Sequence, residues 1–83
     1  MVEVTIRKSD IVKLKIATKG YGIRSFSGKI GISHSYLSQI LNEHKKPSAT
    51  VASKIAKGLD EEVLDLFLIK VVDDLPNEAT AVL

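Results

Sequence analysis

The segment from Gly22 to Asn42 constrains the fold of this chain more than any other. It reads GIRSFSGKIGISHSYLSQILN, with Gly31 between two short helical patterns. Glycine readily takes the positive φ that ends a helix, and Ser33 is placed to cap the helix that follows. We therefore predict one helix over residues 23–30 and a second over residues 34–42, joined by a tight turn.

The second of these helices divides into two faces at the helical period. One face is apolar and carries Tyr36, Leu37, Ile40 and Leu41. The opposite face carries hydrogen-bonding side chains without a carboxylate, namely His34, Ser35, Ser38, Gln39 and Asn42. Such side chains can meet base edges in the major groove of DNA, and no acidic group among them would repel phosphates. The pattern favours a helix that enters this groove.

Size and composition exclude several other classes of protein. The 83 residues suffice for one small domain, and the absence of cysteine rules out disulfides and thiolate metal sites. His34 and His44 have no acidic cluster beside them, so we expect neither a metal nor another cofactor. No apolar run approaches the ~20 residues of a membrane span, and the N-terminus does not resemble a signal peptide. We expect a cytoplasmic protein, and no arrangement of residues suggests an enzyme.

The charges are distributed unevenly along the chain. Residues 1–58 hold eleven basic side chains against three acidic ones, whereas residues 59–83 hold seven acidic side chains against Lys70 alone. A basic body favours a polyanionic partner, which would repel the acidic end. The alternative is a solvated surface whose charges happen to segregate. Because the basic residues bracket the two helices described above, we favour the first interpretation.

The N-terminal part of the chain predicts a strand and then a helix. Residues 2–6 alternate between apolar and polar side chains, which is typical of a strand. Ser9 is a candidate cap for a helix that runs to Thr18 or Lys19. We expect its inward face to carry Ile11 and Leu14, with Val12 and Ala17 as further candidates.

The C-terminal part predicts two more helices and one ambiguous segment. Ser48 can cap a helix ended by Gly58, and its inward residues are Val51, Ala52, Ile55 and Ala56. Asp60 can cap a short helix that carries Val63, Leu64 and Phe67. Residues 67–72 are apolar and β-branched, so they form either more helix or a strand. As a strand they would pair with residues 2–6, within the chain or by exchange between subunits.

Residues 22–59 resemble the Cro and phage-repressor helix-turn-helix regulators of the XRE-like family. The segment GISHSYLSQILN is similar to the family's recognition helix, and Lys46-Pro47-Ser48 to its next loop. The resemblance implies an all-α fold, a compact five-helix bundle of the lambda-repressor-like DNA-binding type. We allow for a short β-ribbon made of the two ends of the domain. The domain would span residues 1–72 and the helix-turn-helix residues 22–42, followed by a flexible acidic tail over residues 73–83.

The resemblance also implies which residues contact double-stranded DNA. Base contacts would come from His34, Ser35, Ser38 and Gln39. Contacts to the phosphate backbone would come from Arg24, Lys29, Ser33, Tyr36, Asn42, Lys45 and Lys46. For Ser33 we favour the role of helix cap, with which a DNA contact is compatible. Lys13, Lys15, Lys54 and Lys57 are expected to be solvated and to add only long-range field.

The chain departs from the family pattern at two places. Gly22-Ile23 replaces the usual Ser or Thr followed by Gln, and Glu43 replaces the usual glycine after Asn42. Two functions follow as hypotheses. The first is a sequence-specific transcription regulator of the repressor or Cro type, from a prophage or mobile element, acting as a homodimer. The second is an antirepressor or antitoxin-like modulator that keeps the fold but binds another regulator.

Overall fold

Five helices and a two-stranded ribbon make up the described part of the chain, residues 2–71 of a computed structural model. The elements in order are β1 (Val2–Ile6), α1 (Ser9–Thr18), α2 (Ile23–Ile30), α3 (His34–Leu41), α4 (Ala49–Gly58), α5 (Val63–Leu66) and β2 (Phe67–Val71). The predicted helical bundle with a short ribbon is confirmed. The predicted flexible tail over residues 73–83 lies outside the described residues.

The core forms where the apolar faces of the helices and the ribbon meet. Its largest fully buried side chains are Phe26, Phe67, Leu37, Ile40, Leu41, Ile55, Leu59 and Val12. Three of them belong to α3, which consequently lies against the rest of the bundle along its whole apolar face. Burial of a side chain of this size stabilises the folded state by about 1.5–3 kcal/mol. The core therefore fixes which face of α3 is left for solvent.

The prediction for the inward face of α1 was confirmed at Val12 and wrong at Ile11, Leu14 and Ala17. Val12 and Ile16 are buried, whereas Ile11 is 42% and Leu14 59% exposed and Ala17 also faces solvent. Val12 and Ile16 are four residues apart and share one stripe, and Leu14 lies on the opposite side of the helix. Since α1 has apolar residues on both sides, its periodicity did not identify the buried one.

Ser9 also has a different role from the one predicted. Lys8, with extended backbone angles and no side-chain hydrogen bond, occupies the N-cap of α1, and Ser9 is the first helical residue. The Ser9 hydroxyl donates instead to Glu43 Oε2 at 3.0 Å. A side chain expected to cap its own helix therefore links α1 to the end of α3.

The two strands pair within the chain and close the bundle. β1 and β2 are antiparallel, with Val2 opposite Val71 and Ile6 opposite Phe67. Val4, Ile6 and Phe67 point into the core from this ribbon. This resolves the ambiguity over residues 67–72 for its described part: Phe67–Val71 is a strand, and its partner is β1 of the same chain.

The region between α4 and α5 differs from expectation in three respects. Gly58 is the last helical residue of α4, as predicted, but the C-cap that follows it is Leu59. Glu62 rather than Asp60 occupies the N-cap of α5, without a side-chain hydrogen bond. Phe67, expected on this short helix, is instead the first residue of β2, since α5 ends at Leu66. The predicted cap by Ser48 is confirmed, since its Oγ accepts from the Val51 N–H at 3.2 Å.

Candidate nucleic-acid interface

The turn between α2 and α3 is fixed by backbone hydrogen bonds around a glycine. Gly31 has φ +80°, in the left-handed region where a side chain would be strained. The Ser27 carbonyl accepts from the N–H groups of both Gly31 and Ile32, at 2.9 and 3.0 Å. Ser33 then caps α3, as its Oγ accepts from the Tyr36 N–H at 3.1 Å. The predicted turn and cap are both confirmed, and together they set the direction of α3.

α3 has an anchored back and an open front. Leu37, Ile40 and Leu41 are at most 1% exposed, and Tyr36 is half-buried at the edge of this face. The four residues predicted to contact bases lie on the other side: His34, Ser35 and Gln39 are exposed and Ser38 is half-buried. The structure therefore brings the predicted base-contacting set together on one accessible surface.

α2 begins with only half of a capping box. The Gly22 N–H donates to Ser25 Oγ at 2.9 Å, but glycine has no side chain to return a bond to Ser25. Ile23, in place of the family's glutamine, is 36% exposed. Ser27 is buried, and its hydroxyl donates to the Arg24 carbonyl at 2.9 Å. The small residue thus allows close packing of α2, while its first turn presents an apolar side chain.

Two of the basic residues predicted to contact phosphates lie over aromatic rings. Lys45 Nζ is 5.8 Å from the centre of the Tyr36 ring, and Lys29 Nζ is 5.5 Å from that of Tyr21. A cation–π contact at an exposed site contributes about 0.5–1 kcal/mol and leaves the ammonium open to another partner. Lys45, in the loop after α3, therefore pairs with Tyr36 of α3.

Lys29 is grouped with lysines that sequence reasoning set aside. It lines a shallow groove of about 290 Å³ together with Lys54 and Lys57 of α4. Because Lys29 and α4 are distant in the sequence, no sequence pattern indicated that these lysines lie together. The groove concentrates positive charge at the junction of α2 and α4.

Lys46 already has a partner in the folded chain. Its Nζ lies 3.1 Å from Glu3 Oε2 of β1, and both side chains are substantially exposed, by 62% and 45%. An exposed pair of this kind contributes at most about 1 kcal/mol. Lys46 can consequently exchange Glu3 for a phosphate at little cost.

The end of α3 is tied to α1 by contacts that the sequence did not reveal. Lys13 Nζ donates to Asn42 Oδ1 at 3.1 Å, and Asn42 Nδ2 donates to Ser38 Oγ at 3.3 Å. Beside them, Glu43 has φ +61° and receives the bond from Ser9. Lys13 was expected to be merely solvated. Its contact spans 29 residues of sequence, so no local pattern could have indicated it.

Within residues 2–71, no three His, Asp or Glu side chains are grouped so that they could hold a metal ion. No helix of this described part is long and apolar enough to cross a membrane. The positively charged surroundings of α3 and its hydrogen-bonding front are the features that the folded domain presents to a partner.

The structure is that of a helix-turn-helix domain. In this bundle a short helix is followed by a glycine turn and then by a helix whose polar face is exposed. Residues 14–66 match the family model described as helix-turn-helix, and the chain belongs to this family, in its XRE type. Members are DNA-binding transcription regulators and are not normally enzymes. No curated protein and no solved structure matches the chain.

Proposed function

We propose that the protein is a sequence-specific regulator of the repressor or Cro type, of prophage or mobile-element origin, which inserts α3 into the major groove. The observation that supports this most directly is the division of α3. Its apolar back is buried to 1% exposure or less, while His34, Ser35 and Gln39 face solvent together. A helix held this rigidly can present side chains to base edges in a fixed register.

Each side chain of this surface has a chemistry suited to its role. Gln39 can form a bidentate pair with adenine, and Ser35 adapts to donors or acceptors. His34, at the first position of α3, is nearest to the end of the helix that approaches bases in this family. Around them, the candidates for phosphate contacts are Arg24, Lys29, Ser33, Tyr36, Asn42, Lys45 and Lys46.

We further propose that two copies act together on a two-fold site. α3 has only eight residues, so one copy contacts few base pairs. Two copies would place their recognition helices in half-sites about one helical turn apart. The candidate region for the dimer contact is the end of the described chain, where Leu64, Leu68 and Val71 are exposed at 56%, 47% and 78%, Leu68 and Val71 on opposite faces of β2.

Selection of bound duplexes from a random pool, followed by mobility-shift titration at several salt concentrations, tests this proposal. We expect Gln39→Ala to change the base preferred at one position per half-site, by about 1–3 kcal/mol of discrimination. Lys46→Ala should weaken binding to all sequences and reduce the magnitude of the salt slope by about 1. If no duplex is enriched by the unaltered protein, the proposal is wrong.

A second function is favoured by one specific observation. The apolar side chains of Leu64, Leu68 and Val71 lie on the acidic C-terminal part of the chain, which would suit a partner protein better than DNA. The protein would then be an antirepressor or antitoxin-like modulator that binds another regulator. Titration of the selected duplex with and without the products of neighbouring genes distinguishes the two. Loss of DNA binding on formation of a defined complex would favour the modulator.

A further inference from the structure

A chain of side-chain hydrogen bonds runs from α1 to the front of α3. Lys13 Nζ donates to Asn42 Oδ1 at 3.1 Å, and Asn42 Nδ2 donates to Ser38 Oγ at 3.3 Å. Asn42 is the C-cap of α3, and Ser38 lies four residues before it on the polar face. Lys13 is therefore connected to the predicted base-contacting surface by one intermediate side chain, that of Asn42.

The chemistry of the lysine decides the direction of the hydrogen bonds along this series of side chains. An ammonium group has three donors and no acceptor, so the Asn42 side chain must turn its oxygen toward Lys13. The amide nitrogen then faces Ser38, whose oxygen accepts. A hydroxyl that accepts one bond keeps its own proton to donate and one further lone pair, so the free proton is what distinguishes this orientation from the reverse one. Among residues 2–71, no acceptor takes this proton from Ser38.

We propose that Lys13 is a positioning residue that sets Ser38 as a hydrogen-bond donor toward DNA. Ser38 would then favour a base with an acceptor at its major-groove edge, thymine O4 or guanine O6, over cytosine or adenine, which present an amino group at the equivalent place. This inference rests on the proposed function, because it concerns which base the same surface selects.

Reversing the charge of residue 13 should reverse the donors and acceptors in this series of hydrogen bonds. In Lys13→Glu the carboxylate only accepts, so Asn42 turns its nitrogen toward residue 13 and its oxygen toward Ser38. Ser38 then donates to Asn42 and offers its lone pairs to the base. The preferred base should change from thymine to cytosine, or from guanine to adenine. Lys13→Met fixes neither orientation and should only broaden the preference at that position.

Lys54→Glu is the matched control. It makes the same change of charge at an exposed position of α4, and Lys54 forms no ion pair within the part of the chain that the structure describes. Duplex selection with all four proteins should show a change of about tenfold in base ratio at one position for Lys13→Glu. Lys54→Glu should lower affinity with the base profile unchanged. Equal losses and identical profiles for the two Glu variants would overturn the proposal.

A measurement without DNA separates this inference from the proposed function. If the unaltered protein selects no sequence, the proposed function fails, and the side-chain amide resonances of Asn42 still test the role of Lys13. Lys13→Met should shift these resonances and speed their hydrogen exchange, with the thermal midpoint little changed. Resonances identical to those of the unaltered protein would mean that Lys13 does not orient Asn42, which overturns the inference.

Discussion

Two residues hold a backbone conformation that normally belongs to glycine. Glu43 and Asp60 have φ of +61° and +56°, and each follows the C-cap of a helix. The two helix ends share one pattern of backbone hydrogen bonds. At the end of α3, the N–H groups of Glu43 and His44 donate to the carbonyls of Ile40 and Gln39, at 3.0 and 2.8 Å. This is the Schellman motif, in which the residue after the cap is left-handed. The motif therefore forms here at the expense of backbone strain.

The strain at Asp60 should be removable. Within residues 2–71, its one ion pair, to Lys19 at 3.4 Å, is exposed and contributes little. An L-residue in the left-handed conformation costs about 1–2 kcal/mol, which glycine avoids, but the larger backbone entropy of glycine in the unfolded chain offsets part of this gain. Asp60→Gly should therefore raise the free energy of unfolding by about 0.5–1 kcal/mol. Urea denaturation measures it. Asp60→Ala, which keeps a Cβ, is the control and should show no gain; equal stabilisation of both variants would contradict the explanation.

At the scale of whole elements, α2 and α4 approach closely because of one glycine. A Cβ built on Gly58 would lie 2.8 Å from Ile30 Cγ2 and 2.9 Å from two ring atoms of Phe26. Phe26 is fully buried, so its ring has no room to move away. By contrast, a Cβ on Gly28 of α2 would meet nothing within 4 Å. Only the first of these helical glycines is required by packing.

The two glycines should respond in opposite directions to alanine. Gly28→Ala should stabilise the protein by about 0.5–1 kcal/mol, because alanine has the higher helix propensity. Gly58→Ala gains the same propensity but forces α4 away from α2, for a net loss of about 1 kcal/mol or more. Thermal unfolding of both variants measures the difference. A stabilised Gly58→Ala protein would show that the helices can separate without cost.

Elements were predictable from the sequence where local signals define them, and not where contacts with other elements decide. α3 and α4 were predicted within one residue because their caps, Ser33 and Ser48, lie next to them in the chain. The buried face of α1 was not, since Val12 and Ile11 are equally apolar and only the position of the neighbouring helices decides between them. Likewise Phe67–Val71 became a strand because β1 was available to pair with it.

At the scale of the whole molecule, the ribbon connects the ends of the domain to the candidate interface. Residues distant in sequence meet there, as Glu3 of β1 does with Lys46 of the loop after α3. The exposed polar face of α3 depended on the periodicity of one helix and could be predicted from the sequence, whereas its contacts to bases stay a prediction. The partners of Lys13, Lys29 and Lys46 could not, because each contact requires the assembled fold.

The contact between Glu3 and Lys46 should limit the affinity for DNA. Glu3 competes with phosphate for the Lys46 ammonium, so Glu3→Gln should raise affinity for all sequences, by up to about fivefold at low salt. Mobility-shift titration at several salt concentrations measures this gain, which screening should diminish. Glu62→Gln, the same change of charge at the N-cap of α5, is the control and should have a smaller effect. The gain should also vanish when Lys46→Ala is already present, since Glu3 then has no ammonium to release. An undiminished gain in that double variant would mean that Glu3 acts only through its long-range repulsion of DNA.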